Sequence, residues 1–219
     1  MARLFKLEEA TQALVERFNL LTADPLLLLP ARITRHKNVE LALQIASELR
    51  NHMPSPRLVV TGPPDPHNPH NAVHLAELHA LRARLEAPVL FLYETFLVTE
   101  PGSYAINDAM IADWLSLADG LLFPSITEGF GMPMIEGALH GTPLFCSDIP
   151  SFREIAGGYV LRFGLNEPPA TIAERIARVL RDDARYLLRQ HIRQHFTWEA
   201  IYKQKIQPLL QRAISPAES

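Results

Sequence analysis

A chain of 219 residues with 47% hydrophobic content is long enough to bury a sizeable core, as one large domain or two small ones. Its formal net charge of -3 gives no bulk electrostatic reason to bind nucleic acid or an anionic membrane, so nucleic acid is not an expected partner. A single cysteine, Cys146, cannot form an internal disulfide, and no charged leader followed by an apolar core is present, so a reducing, cytoplasmic setting is expected.

In chain order, the first pattern is the amphipathic stretch LEEATQALVERFNLL, a helical lead-in within residues 1–23. The apolar run Leu26 to Leu29 follows, closed by Pro25 and Pro30. It is far short of the roughly 20 residues that a spanning helix needs, so no transmembrane segment is expected. From residue 24 to residue 219 short apolar runs alternate with helical patterns, which is the signature of repeated βα units around a parallel sheet. The runs LLLLP, RLVVTG, PVLFLY, GLLFPS, TPLFCS and GYVLRF read as strands, and six of them fit one doubly wound, Rossmann-like α/β sheet.

Between the strands, NVELALQIASELR and NDAMIADWLSLAD carry apolar residues at helical spacing, with Asn38 and Asn107 placed as N-caps. Stretches from Pro169 to Leu210 are amphipathic and should pack on the sheet or a neighbour. His67, His70, His74 and His79 fall in a proline-rich loop and the helix after it, without a metal-ligand constellation, and are expected to face solvent. His140 reads as the end of a helix with Gly141 as its cap, Cys146 as a small core residue in a strand, and Trp198 as the anchor of a late helix.

In such a sheet, ligands bind where the carboxyl ends of strands lead into helices. After the first strand, ARITRHKN crowds Arg32, Arg35 and Lys37 into one loop before a helix N-terminus. A guanidinium fork and an ammonium at that spacing suit two neighbouring phosphates, although solvated loop charges have the same composition. The first strand is not followed by G-x-G-x-x-G, which argues against a dinucleotide-dependent dehydrogenase.

After the fourth strand comes ITEGFGMPMIEG. Gly129 and Gly131 allow positive φ, and Pro133 suits the first position of a helix, so Glu128 should lie in the loop and Glu136 in the first helical turn. A carboxylate that accepts from two vicinal hydroxyls reads a ribose or a sugar, and exposed amides of Phe130, Gly131 and Met132 suit a pyrophosphate. The plainer alternative has Glu136 complementing the helix dipole and Glu128 in solvent.

The segment PSITEGFGMPMIEGALHGTPLFCSDIPSFREIAGG resembles the signature of retaining glycosyltransferases of family 4: two glutamates separated by seven residues, then a glycine-threonine-proline entry into a strand. Arg32 and Lys37 match that family's phosphate clamp, and FTWEAIYKQ is similar to its late tryptophan-bearing helix. The resemblance runs from about Asp24 to Leu210 and implies the carboxyl-terminal, donor-binding half of a GT-B fold.

By position, it implies that Glu136 binds the ribose, that Arg32 and Lys37 hold the diphosphate of a UDP- or GDP-sugar, and that Glu128 contacts the transferred hexose. It further implies that amides from Phe130 to Met132 position sugar and phosphates, that Gly62 lets the backbone approach the donor, and that the base lies near Tyr93 to Leu97. Two departures stand out: that last loop lacks the usual glycine, and Asn38 stands where a glycine commonly follows the clamp lysine. No Asp-x-Asp motif points to a metal on the diphosphate, so metal-independent donor binding with no further cofactor is expected.

A GT-B enzyme also has an amino-terminal half that binds the acceptor, here unknown, and only one helical stretch precedes DPLLLLPAR. The expectation is that this half comes from the same gene or a separate chain, carries any peripheral contact with the inner membrane, and is needed for transfer. The isolated chain should bind donor weakly and transfer little. The alternative is a non-catalytic nucleotide-sugar-binding or docking module.

Overall fold

The computed structural model describes residues 6–65, 71–96 and 106–214. Helix α1 (Glu9–Arg17) leads into β1 (Leu26–Leu29), followed by α2 (Val39–Leu49), β2 (Arg57–Val60), α3 (Asn71–Leu85), β3 (Val89–Phe91) and α4 (Leu92–Phe96). The second half runs α5 (Asp108–Leu117), β4 (Gly120–Phe123), α6 (Met132–Leu139), β5 (Leu144–Ser147), α7 (Pro150–Ala156) and β6 (Leu161–Phe163). It ends in α8 (Pro169–Asp182), α9 (Ala184–His195), α10 (Trp198–Ile201), a π-helical turn Tyr202–Ile206 and α11 (Gln207–Ile214).

All six strands pair in parallel in the order β3-β2-β1-β4-β5-β6. The order reverses between β1 and β4, so the chain winds outward in both directions from that line. A crevice therefore opens at the carboxyl ends of these two strands.

The strand runs are apolar throughout because both faces of the sheet are covered. Leu27 and Leu29 of β1 join Leu58, Val60, Leu122 and Phe145 beneath α2 and α8, while Leu26 and Leu28 join Val59, Leu121, Leu144 and Cys146 beneath α1, α5 and α7. Each fully buried leucine removes enough apolar surface from water to contribute about 1.5–3 kcal/mol. Both expected caps form: the Asn38 side chain accepts from the Leu41 amide and that of Asn107 from the Met110 amide. Cys146 is fully buried on β5, and burial pushes its thiol up to about 12, which keeps it a protonated core residue.

Several expectations are corrected. The loop anticipated around Tyr93 is the short helix α4; its ring lies in the core, its hydroxyl is 3.0 Å from His79 Nε2, and burial raises its pKa to about 12. Leu97, His67 and His70 lie outside the described residues. His74 is buried and His79 half-buried, because α3 turns that face toward α2 and α4 instead of solvent. Trp198 stands 59% exposed at the start of α10, whereas Trp114 on α5 is the tryptophan that fills the core. Among the described residues no helix is long and apolar enough to cross a membrane.

Candidate functional site

Two loops meet at the crevice. The first leaves β1 at Pro30, passes Arg32, and winds a 3-10 turn over Arg35–Lys37 before Asn38, held in the left-handed region at φ 51°, starts α2. The second leaves β4 at Pro124 and reaches Gly131, whose φ of 71° sets the N-cap of α6. They are tied at the backbone by the Ile126 amide, which donates to the His36 carbonyl at 2.8 Å.

Side chains tie them more tightly. Lys37 Nζ donates to Glu128 Oε1 in an ion pair whose side chains are only 17% and 11% exposed. Ser125 Oγ donates to the same carboxylate oxygen at 2.9 Å, and Ser147 Oγ, from the end of β5, donates to the Ser125 carbonyl. Sequence separation hid this unit, since Lys37 and Glu128 are 91 positions apart. The serine's part was legible, because Ser125 precedes Glu128 by three residues and a hydroxyl at that spacing reaches a neighbouring polar group within one turn.

The remaining candidates lie on the same two loops and on the helix that the second one opens. Arg32 is exposed and makes no ion pair with a described residue, whereas Arg35 is held by Glu77 at 3.0 Å. Helix α6 begins at Met132, so Pro133 is its second residue and Glu136 its fifth, one residue deeper than expected and just past the first turn, which carries no acid. This geometry weakens the dipole explanation for Glu136, because that interaction fades beyond the first turn. Glu136 is half-buried and its carboxylate has no hydrogen-bond partner among the described residues. The amides of Phe130, Gly131 and Met132 likewise donate to no described residue, while the Phe130 side chain stands 64% exposed beside them. Positive φ is confined to Gly131 within this segment; Gly129 does not need it.

Gly62 has a structural cause. A Cβ placed there would sit 2.2 Å from the Ala31 carbonyl oxygen and 2.4 Å from Arg32 Cα, and the Gly62 amide donates to that carbonyl at 3.1 Å. The glycine thus lets the loop after β2 press on the backbone that carries Arg32. Gly62→Ala is expected to lower stability by about 1–3 kcal/mol, as overpacking does, and to displace Arg32. Gly129→Ala, whose added Cβ meets nothing within 4 Å, is expected to leave thermal unfolding unchanged. Equal melting of the two variants would dissociate Gly62 from the packing of the loop.

A sequence profile described as "Glycosyl transferases group 1" matches residues 24–182. Among curated proteins, the chain is 38% identical to the serotype-specific mannosyltransferase WbdA of Escherichia coli over 71 residues, 32% of this chain and 9% of that protein. It is 27% identical to the O-antigen biosynthesis glycosyltransferase WclY of Escherichia coli over 142 residues, 65% of this chain and 34% of that one. It therefore spans about a third or less of the length of these relatives.

Among solved structures, the C-terminal domain of the group 1 family protein LpcC from Francisella tularensis superposes with a TM-score of 0.59 at 17% identity, over 92% of this chain and 96% of that one. Anabaena Alr3699/HepE in complex with UDP-glucose gives a TM-score of 0.61 at 16% identity over 93% of this chain and 53% of that one. Sucrose-phosphate synthase from Thermosynechococcus elongatus gives a TM-score of 0.60 at 25% identity over 96% and 50%. The doubly wound sheet is the carboxyl-terminal domain of the GT-B fold.

Proposed function

The chain belongs to the group 1 glycosyl transferases, and from that membership we propose that it is the donor-binding half of an enzyme that transfers a hexose from a UDP- or GDP-sugar to an acceptor with retention. One observation carries the proposal. The Lys37–Glu128 pair joins the loops of β1 and β4 at the point where the strand order reverses; Arg32 lies on the first of these loops, and the unused amides and Glu136 on the second and the helix it opens.

Lys37 has three donors and gives one to Glu128, which leaves two for phosphate oxygens. Arg32 supplies a second positive charge from the same loop, and the amides at the start of α6 supply more partial charge. These groups stabilise the diphosphate as it departs, and in the front-side path proposed for retention that diphosphate takes the acceptor's proton. Glu128 meets hydroxyls of the hexose, and Glu136 accepts from the two ribose hydroxyls. Charge neutralisation falls to the clamp in place of a metal; a strict requirement for added Mn or Mg would contradict this. The name of WbdA favours mannose as the sugar, and the acceptor is held by a second half, encoded in the same gene or in a separate chain.

Calorimetric titration with UDP, GDP, ADP and their common sugar conjugates tests the reading. One nucleotide family is expected to bind, and Glu136→Ala to weaken it about tenfold or more, the loss from removing hydrogen bonds to a charged acceptor. The exposed Phe130, Met132 and Ile126 beside the site favour a docking module as the second reading. Absence of binding at millimolar concentration would move that reading ahead.

A further inference from the structure

We propose that His74 is a positioning residue that makes the loop carrying Arg32, Arg35 and Lys37 responsive to protons. The inference deepens the donor-site reading and rests on it only for the ligand used in part of the test.

His74 lies on α3 with its side chain 3% exposed, and its Nδ1 is 3.4 Å from Glu40 Oε1 and 3.8 Å from Glu77 Oε2. Neither ring nitrogen makes a hydrogen bond to a described residue, so the ring is buried between two carboxylates without a settled partner. Glu40 comes from the first turn of α2 and Glu77 from one turn further along α3. The oxygen of Glu77 that faces His74 is the one that accepts from Arg35 Nη2 at 3.0 Å. Among the described residues these are the charged groups that face the ring: Glu40 from α2, Glu77 from its own helix and, through Glu77, Arg35 from the loop after β1.

The arrangement is a competition for one carboxylate oxygen. Neutral imidazole has at most one N–H to offer at Nδ1 and no charge, and Glu77 stays with Arg35. Protonated imidazole brings a charge between Glu40 and Glu77, draws Glu77 toward itself and weakens its hold on Arg35. Arg35 precedes Lys37 by two residues in the same 3-10 turn, so a loosened Arg35 adds a cation to the phosphate side of the loop.

The test is nuclear magnetic resonance of the whole chain from pH 5.5 to 8.5, following the His74 ring and the amides of Arg35, His36 and Lys37. Those amides are expected to move with the His74 midpoint, and the movement to vanish in Glu77→Gln, an exposed substitution that removes the shared charge, and in His74→Gln. His36 lies in the same turn, so His36→Asn is included, and the movement of the Arg35 and Lys37 amides is expected to survive it. In parallel, a nucleotide sugar, whose diphosphate diester does not titrate in this range, is expected to bind about threefold to fivefold more tightly at pH 6 than at pH 8, the size a part-exposed ion pair carries.

Amides that ignore the His74 midpoint, or that respond identically in Glu77→Gln, would overturn the proposal. So would equal affinities at the two pH values. If no nucleotide sugar binds at either pH while the amides still follow His74, the donor reading falls and the positioning of the loop by His74 stands.

Discussion

Asp119→Ala is expected to lower the unfolding free energy by about 3–5 kcal/mol, the loss that follows when one member of a buried ion pair is removed. Asp119 precedes β4, and its side chain is fully buried. It accepts from Arg193 Nη1 at 3.0 Å, from Gln190 Nε2 at 2.9 Å and from the Leu26 amide at 2.8 Å, while Arg189 approaches at 3.6 Å. Burial raises the pKa of this carboxyl, and Arg193, the Leu26 amide and Arg189 oppose the rise.

Truncation leaves Arg193, only 4% exposed, as an uncompensated cation and undoes the lock of α9 on the amino-terminal edge of the sheet. Asp119→Asn keeps the shape and some acceptor capacity but removes the charge, so it is expected to fall between wild type and alanine. Urea unfolding followed through the buried Trp114 measures both. The cluster sits at the opposite end of the strands from the crevice, so nucleotide affinity of the folded variants is expected to be unchanged. A midpoint that does not move in the alanine variant would mean that Arg193 finds another partner.

Legibility of this chain in its sequence follows the range of each interaction. Six strand runs are readable because burial on both faces makes each continuously apolar, as with Leu26 to Leu29. Asn38 and Asn107 are readable because a cap acts within three residues. The loops that hold Arg32, Lys37 and Glu128, and the helix that carries Glu136, are likewise placed by local turn chemistry and by the order of the strands.

What fails to show is set by contacts between distant segments. Asp119 reads only as the end of the helical pattern NDAMIADWLSLAD, and its side-chain partners lie in a helix more than 70 positions away. His74 looks like one of four solvent-facing histidines until α2 brings Glu40 against it. Tyr93 reads as a strand end, yet the chain coils into α4 at once and puts the ring in the core beside His79. The start of α6 is misjudged by one residue because proline is compatible with either of the first two helical positions. Only the left-handed φ of Gly131 decides between them.

Lys37 and Glu128 are the residues whose replacement is expected to change ligand binding most, and in different ways. Lys37→Met removes the ammonium that holds Glu128 and is proposed to hold the diphosphate. Loss of one member of a largely buried, hydrogen-bonded charge pair amounts to about 2 kcal/mol or more, which is a weakening of about 30-fold or more for nucleoside diphosphate and nucleotide sugar alike.

Glu128→Gln removes the carboxylate proposed to meet the hexose but releases Lys37 from its internal partner. Nucleoside diphosphate binding is therefore expected to hold or tighten, while the extra affinity contributed by the sugar is lost. Calorimetry of both ligands against both variants gives four affinities, and the opposite response of nucleoside diphosphate to the two substitutions is the signature of a shared catalytic pair. Equal weakening of both ligands by both variants, together with a drop in stability, would instead make the pair a brace between the β1 and β4 loops. The phosphate clamp would then rest on Arg32 and the amides of α6.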